Sequence, residues 1–419
     1  MHLVLDITLT VAKPWLQQPS GIDRVEFAHT RHWRGLPASD VTFVMRNGWN
    51  RLAAIPDGIA RAMLEEADRR IAPGMTGRWG LRARSGALMY AQWWGLGRGL
   101  LRRRLAARPD SVFLTVSCAT LHMQPALADL RAQGCRVVPL IHDVIPLTHP
   151  QYFPAKEPPR HARRIEALAR LSDAGLIVSD AALDALRAHA ARARLALPPM
   201  TVTRPGLDLP AAAPAAPARD GDPYFVMLGS LEPRKNHLLM LQLWQGMARQ
   251  PGTPRLVILG RRPSAPHLAT IMLDRTDFAG RVEDRGRLPD AEVASLLRGA
   301  RALLFPSITE GFGIPLAEAL AARVPVIASD IPAFRELGGP VPDYLDPLDG
   351  AGWRQAVLDY ADPASPRRAA QLARLDSWQA PSWASHFEAA EALLRDVAAR
   401  PVASLVAAPD RSMASPAAT

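Results

Sequence analysis

Cysteine and lysine are both scarce in this chain of 419 residues, and each shortage excludes something. Cys118 and Cys135 are the only cysteines. Two isolated thiols make neither a disulfide framework nor a zinc site, and they fit a reducing, cytoplasmic setting. Lys13, Lys156 and Lys235 are the only three lysines among 50 basic residues, so arginine carries almost all the positive charge. A lysine inside a motif is therefore worth attention. No run of 18 apolar residues occurs, which argues against a membrane-spanning helix. The opening MHLVLDITLT lacks the basic flank and small-residue cleavage site of a secretion signal and reads as a first strand. No cluster of side chains with metal-ligand spacing is visible, so neither a metal nor a cofactor is expected. Asp220-Gly221-Asp222 is the nearest approach, but it has no strand before it.

What is present is a strongly basic chain, of net charge +10 and pI near 10.4. Such a surface can meet nucleic acid, anionic lipid or a phosphorylated substrate. Nucleic acid is the weaker reading, because no known binding module with interleaved aromatic and basic residues is found. A local basic cluster lies at 93–105, WWGLGRGLLRRRL, following Trp79. Its two readings are a surface for the anionic inner face of a membrane and a solvated basic helix beside packed tryptophans. Gly95, Gly97 and Gly99 weaken the helix it needs.

Apolar runs of strand length alternate with helical patterns along most of the chain. In the first half strands are expected at 3–5, 41–45, 112–116, 137–141, 175–178 and 202–205, and a helix is expected to begin near Ile22. The stretch 149–159 reads as a loop. A linker rich in Ala and Pro follows at 209–222. In the second half strands are expected at 224–228, 256–259, 282–285, 302–305 and 324–328. Helices fall between them, one near 265–273. Repeated strand–helix units imply parallel sheets covered on both faces, an α/β fold.

Two turns in the second half carry chemistry. After the strand at 224–228, Gly229 turns the chain into Arg234-Lys235-Asn236. Arginine grips two phosphate oxygens at once and lysine adds a mobile point charge, so adjacent cations at a strand's carboxyl end suit a diphosphate. After the strand at 302–305 comes Glu310-Gly311-Phe312-Gly313-Ile314-Pro315, with Glu318 one turn into the next helix. Free amides and a positive helix end favour anions there, whereas carboxylates favour hydroxyls. A site with both suits a sugar nucleotide. In the first half, Ile141-His142-Asp143 ends a strand, and Ser20-Gly21-Ile22-Asp23-Arg24 opens a helix where backbone can approach a ligand. The bland readings are a surface ion pair, an ordinary turn and a histidine satisfied by its neighbour.

The pattern Gly229…Arg234-Lys235-Asn236 with Glu310 and Glu318 separated by seven residues resembles glycosyltransferase family 4, strongly over about 223–345. The first half, through Asp6, the Ser20–Val25 segment and Ile141 to Pro146, is similar more loosely to its bacterial mannosyltransferase-like and rhamnosyltransferase-like branch. The resemblance implies a GT-B fold: two doubly wound Rossmann-like domains facing a cleft. An acceptor domain would span 1–208, the linker 209–222, a donor-nucleotide domain 223–382, a helix crossing back to the first domain 383–400, and a disordered tail 401–419. It further implies a retaining, metal-independent hexosyltransferase with no protein nucleophile. Arg234 and Lys235 would bind the donor diphosphate and Glu310 the sugar hydroxyls. Gly229, Phe312, Gly313 and Ile314 would line the donor, Glu318 would take the ribose, and Arg287 and Leu288 would flank the base. His142 would sit near the transferred sugar, with Gly21 and Asp143 on the acceptor side. The partners implied are a nucleotide sugar and a saccharide or lipid-linked saccharide. The alternatives are a basic nucleic-acid-binding protein, a catalytically degenerate sugar-nucleotide binder of the same fold, and a phosphorylase, for which no lysine context suits a pyridoxal cofactor.

Overall fold

The computed structural model describes residues 1–12, 20–47, 49–71, 96–208, 223–263 and 265–401. The 209–222 linker, the tail beyond 401 and Trp79, Trp93 and Trp94 lie outside the described residues.

The apolar runs become two sheets. The first contains β1 (His2–Asp6), β2 (Val41–Arg46), β3 (Leu52–Ala54), β4 (Ser111–Thr115), β5 (Arg136–Ile141), β6 (Gly175–Ile177) and β7 (Met200–Val202). Its order is β3-β2-β1-β4-β5-β6-β7, parallel throughout except for the β2–β3 pair. The second contains β8 (Tyr224–Leu228), β9 (Arg255–Leu259), β10 (Val282–Gly286), β11 (Leu303–Phe305), β12 (Val326–Ser329) and β13 (Asp343–Leu345), in the all-parallel order β10-β9-β8-β11-β12-β13. Strands β1, β4 and β5 are buried along their whole length, as parallel strands covered on both faces must be. The chain winds outward in opposite directions from β8 and β11. A crevice therefore opens between the carboxyl ends of those two strands.

Helix Gly21–Trp33 begins one residue before the expected Ile22. Ser20 accepts from the Asp23 amide, and the Asp23 carboxylate accepts from the Ser20 amide, a reciprocal cap. Helix Trp383–Ala399 runs from the second sheet back to the first. There His386 lies between His29 and the chain leaving β7. Trp33 Nε1 donates to His29 Nδ1 (3.1 Å), so His29 Nε2 carries the proton and donates to His386 Nε2 (2.8 Å). His386 Nδ1 then donates to the carbonyls of Thr203 (3.2 Å) and Arg204 (3.1 Å). Burial keeps both rings neutral, His29 well below the usual range and His386 at about 4. The Arg136 guanidinium also bonds the Arg400 carbonyl at the helix end.

Several sequence expectations shift. The last strand of the first sheet is Met200–Val202 rather than 202–205, because the next residues turn toward the second sheet. The stretch 149–159 holds a short 3₁₀ turn, Pro150–Tyr152, and the start of helix Glu157–Leu171. The helix after β9 starts at Leu268 rather than 265. Strands β3 and β13, of three residues each, are not among the expected strands.

The basic segment forms helix Leu96–Ala107, despite its glycines. Leu101 and Leu105 are buried in the core, while Arg102 and Arg103 are exposed. A Cβ on Gly97 would stand 2.3 Å from the Ala54 carbonyl oxygen, so this glycine lets the helix lie against β3. A Cβ on Gly99 meets nothing within 4 Å. The two glycines should therefore respond oppositely to alanine. Gly99→Ala is expected to raise stability by roughly 0.5–1 kcal/mol through the helix interior. Gly97→Ala should lower it by about 1–3 kcal/mol through overpacking. Chemical denaturation of both variants checks the difference in sign.

Candidate active site

The crevice between β8 and β11 is lined by both turns singled out in the sequence. At the end of β8, Gly229 takes φ +136°, and a Cβ there would stand 3.0 Å from Lys235 Nζ. Glycine thus clears a channel for the lysine as well as turning the chain. Arg234 and Lys235 lie in the 3₁₀ turn Pro233–Lys235, just ahead of helix His237–Met247. Asn236 follows in the left-handed region (φ 57°), its side-chain amide donating to the Pro347 carbonyl (2.9 Å).

At the end of β11 the Glu310 carboxylate meets both cations. Arg234 Nη1 lies 2.6 Å from Oε2, and Lys235 Nζ 2.9 Å from Oε1. The Ser307 hydroxyl also donates to Oε1 (3.1 Å), and Glu232 takes Arg234 Nε (2.9 Å). Burial alone would raise the Glu310 carboxyl, but Arg234 and Lys235 outweigh it and hold it at about 2. Gly313 caps helix Ile314–Ala321 at φ +107°, where a Cβ would press on the Phe334 ring at 2.9 Å. Glu318, on that helix, has its pKa raised by burial, against the pull of Arg24 and with the push of Asp290.

The first domain supplies the opposite wall. His142 Nε2 donates to the Val116 carbonyl (2.9 Å). A carbonyl only accepts, so Nε2 carries the proton and Nδ1 is the acceptor. Burial lowers the ring's pKa and keeps it neutral. Asp143 Oδ1 accepts from the Ile145 amide (3.0 Å), and the Asp143 carbonyl takes His161 Nε2 (3.2 Å). A Cβ on Gly21 would lie 3.2 Å from Ile314 Cδ1 in the other domain.

Three contacts close the two walls on each other. A Cβ on Gly311 would stand 2.5 Å from the His142 carbonyl oxygen and 2.9 Å from Asp143 Cβ. Ser179 Oγ donates to the Gly311 carbonyl (2.5 Å). Glu336 of the second domain accepts from the amides of Asp180 (3.1 Å) and Ala181 (2.9 Å), capping helix Asp180–Ala193, and pairs with Arg204 Nε (2.8 Å).

The resulting cleft has a volume of about 860 Å³. Gly21, His142, Asp143, Gly229, Arg234, Lys235, Arg287, Leu288, Glu310, Phe312, Gly313, Ile314 and Glu318 all line it. Asp6 does not reach it. Its carboxylate is spent on the Thr8 amide and the hydroxyls of Thr8, Thr115 and Thr120, a structural role at the end of β1. Sequence reasoning missed Glu232, Asp290 and Arg298, which also line the cleft, and gave Arg24 no role. Arg24 had a signal, three residues after Gly21 in a capped helix start. Ser179 is legible only as the cap of the helix that follows it, and Glu336 not at all, because their bonds across the domain gap join distant parts of the chain.

Gly311→Ala is expected to push the domains apart, because the obstacle is a backbone carbonyl that cannot turn aside. Small-angle scattering should show a larger radius of gyration than for the unmodified protein; an unchanged radius would mean that the contact does not set the closure.

Residues 211–340 match the family described as glycosyl transferases group 1. The serotype-specific mannosyltransferase WbdA of Escherichia coli is 29% identical over 238 residues, covering 52% of this chain and 29% of that protein. The O-antigen chain mannosyltransferase RfbU of Salmonella typhimurium is 31% identical over 142 residues, covering 33% and 38%. The chain thus spans about a third of the length of the curated relatives it matches. Among solved structures, sucrose-phosphate synthase from Thermosynechococcus elongatus aligns over 95% of this chain and 99% of that one, with a TM-score of 0.62 at 15% identity. Anabaena Alr3699/HepE in complex with UDP and glucose aligns over 97% of each chain, with a TM-score of 0.57 at 14% identity. At such identities the likeness concerns the fold, which is GT-B. The stretch from Gly229 to Glu318 lies inside the matched segment, so residues 211–340 carry this chain's similarity to the glycosyl transferases group 1 family and to the bacterial mannosyltransferases.

Proposed function

We propose that the chain is a retaining hexosyltransferase that moves a mannose-like sugar from a nucleoside diphosphate to a saccharide or lipid-linked saccharide during surface polysaccharide assembly. The observation that carries this reading is the Arg234–Lys235–Glu310 triad at the crevice of the second sheet, facing His142 across the cleft. A leaving diphosphate gains negative charge as the glycosidic bond breaks, and fixed cations in an enclosed site stabilise it where it forms. Arg234 and Lys235 supply that charge, so the reading calls for no resident metal or cofactor. A donor diphosphate would share the two cations with Glu310, whose carboxylate would then accept sugar hydroxyls. Glu318 would take the ribose, and Arg287 and Leu288 would flank the base. Neutral His142, with Nδ1 free to accept, suits a sugar hydroxyl better than an acid–base step. Gly21 and Asp143 stand where an acceptor would enter. The relatives named as mannosyltransferases support the choice of sugar.

A panel of GDP-, UDP- and dTDP-sugars offered to the purified protein tests this reading: hydrolysis of, or transfer from, at least one is expected, and activity toward none would defeat it. Lys235→Ala should weaken binding of the accepted nucleoside diphosphate by about tenfold or more, a charged hydrogen bond being worth roughly 1.5–3 kcal/mol. Calorimetry measures it, and unchanged affinity would take Lys235 out of the donor site.

A lipid-linked acceptor would bring the protein to the inner face of a membrane. No helix among the described residues is long and apolar enough to cross one. Helix Leu96–Ala107 spends Leu101 and Leu105 on the core, which leaves Arg102 and Arg103 for anionic headgroups. Arg102→Glu with Arg103→Glu should reduce pelleting with anionic liposomes, most at low salt; no change would remove this helix as the anchor.

A further inference from the structure

Arg24 occupies a place that electrostatics disfavours for a cation. It lies in the first turn of helix Gly21–Trp33, where the helix dipole is positive. Two carboxylates of the other domain compensate. Arg24 Nη2 lies 2.9 Å from Asp290 Oδ1, and Nη1 lies 3.9 Å from Glu318 Oε1. Asp290 opens helix Asp290–Gly299, and Glu318 sits on helix Ile314–Ala321. All three side chains are partly enclosed, Arg24 at 24% exposure and Glu318 at 21%. The guanidinium is therefore a fork that reaches across the domain gap to two acids of the facing wall.

Taking Arg24 away would leave two carboxylates confronting each other in a half-buried site. Like charges so placed cannot both stay ionised cheaply, and one takes up a proton. The charged groups facing Glu318 are Arg24 from the first domain and Asp290 from the second. Arg298, on the helix that Asp290 opens, lines the same cleft. Among the described residues its Nε and Nη2 bond nothing. Burial and Asp290 push the Glu318 carboxyl toward the neutral form, and Arg24 pulls it back.

We propose that Arg24 is a positioning residue acting across the domain gap: it keeps Glu318 an ionised acceptor for the ribose hydroxyls, so that the second domain recognises a nucleoside fully only when the first domain is closed on it. This rests on the reading of Glu318 as the ribose acceptor. An ionised carboxylate accepts from both ribose hydroxyls through charge-assisted bonds; a protonated one loses that charge and must place a proton of its own. Asp290 is the opposing influence, and the balance between the two sets the pH at which nucleoside recognition fails.

The test is the affinity for GDP and UDP and for their 2′-deoxy counterparts, measured by calorimetry from pH 4 to 8.5. The unmodified protein should prefer the ribo form and lose the preference as pH falls, because Glu318 contributes only when ionised. In Arg24→Gln the midpoint of that loss should move up by about one pH unit or more. Between the two midpoints the ribo form should bind about two- to fivefold more weakly than to the unmodified protein, the tenfold of a full unit being the upper limit. The preference should return at the alkaline end, and Arg24→Lys should restore the original midpoint. Asp290→Asn should move the midpoint the other way, down. A structural defect would weaken binding at every pH and could not produce opposite shifts. An unmoved midpoint in Arg24→Gln, or weakness that alkaline pH does not relieve, would overturn the proposal. Equal binding of ribo and deoxyribo forms by the unmodified protein would remove Glu318 from the ribose, and the proposal with it. Binding of no nucleoside diphosphate at all would instead sink the donor reading.

Discussion

One buried carboxylate, Glu310, holds the second domain's half of the site together. It ties Arg234 and Lys235, at the end of β8, to the loop that follows β11. Those strands flank the point where the sheet changes winding direction, so the link spans the crevice that the topology leaves open. Two adjacent cations in an enclosed space would repel each other and lose solvation. A carboxylate held at about 2 resolves both problems and keeps the cations in place before any ligand arrives. The surrounding glycines follow from this. Gly229 clears room for Lys235, and Gly313 lets the next helix start against Phe334.

The first domain meets this arrangement through backbone rather than through charge. Gly311 is pressed against the His142–Asp143 segment, so closure brings the two walls to contact at the cleft itself. The remaining ties lie at either side. Glu336 caps a helix of the first domain, and Arg24 reaches the acids of the second. The helix Trp383–Ala399 returns to the first sheet, where the ordered chain Trp33–His29–His386 binds it to the strand exit at Thr203. The geometry of the cleft therefore depends on contacts at its rim and at its hinge together. The wall that carries Arg234 and Lys235 and the wall that carries His142 line one cleft in this closed form.

Much of the second domain's wall was legible in the residues. Alternating apolar runs announced parallel strands, because such strands are buried on both faces and need continuous apolar sequence. The rarity of lysine made Lys235 conspicuous, and the spacing of Glu310 and Glu318 about a glycine turn marked a strand-to-helix junction. Strands β3 and β13 were not legible, since Leu52-Ala53-Ala54 and Asp343-Tyr344-Leu345 each include residues that strands disfavour. The segment 93–105 was misjudged in one respect. Its glycines counted only as weakening the helix, whereas Gly97 is the residue that lets the helix approach β3. Close approach is a property of two segments, and neither shows it alone.

What the sequence by itself determined is the kind of chemistry and where the chain turns to offer it: cations after one strand, carboxylates around the turn after another, and a histidine at the end of a third. These are local facts, set by residue type and by spacing along one strand–helix unit. Tertiary structure alone decided how the groups are paired. It placed Glu310 between Arg234 and Lys235, spent Asp6 on threonines instead of the cleft, and left His142 neutral with its Nδ1 as the acceptor. It also set Arg24 against Asp290 and Glu318, residues more than 260 positions away. Charge state depends on burial and on neighbours brought from distant parts of the chain, and neither exists until the two domains have folded and closed.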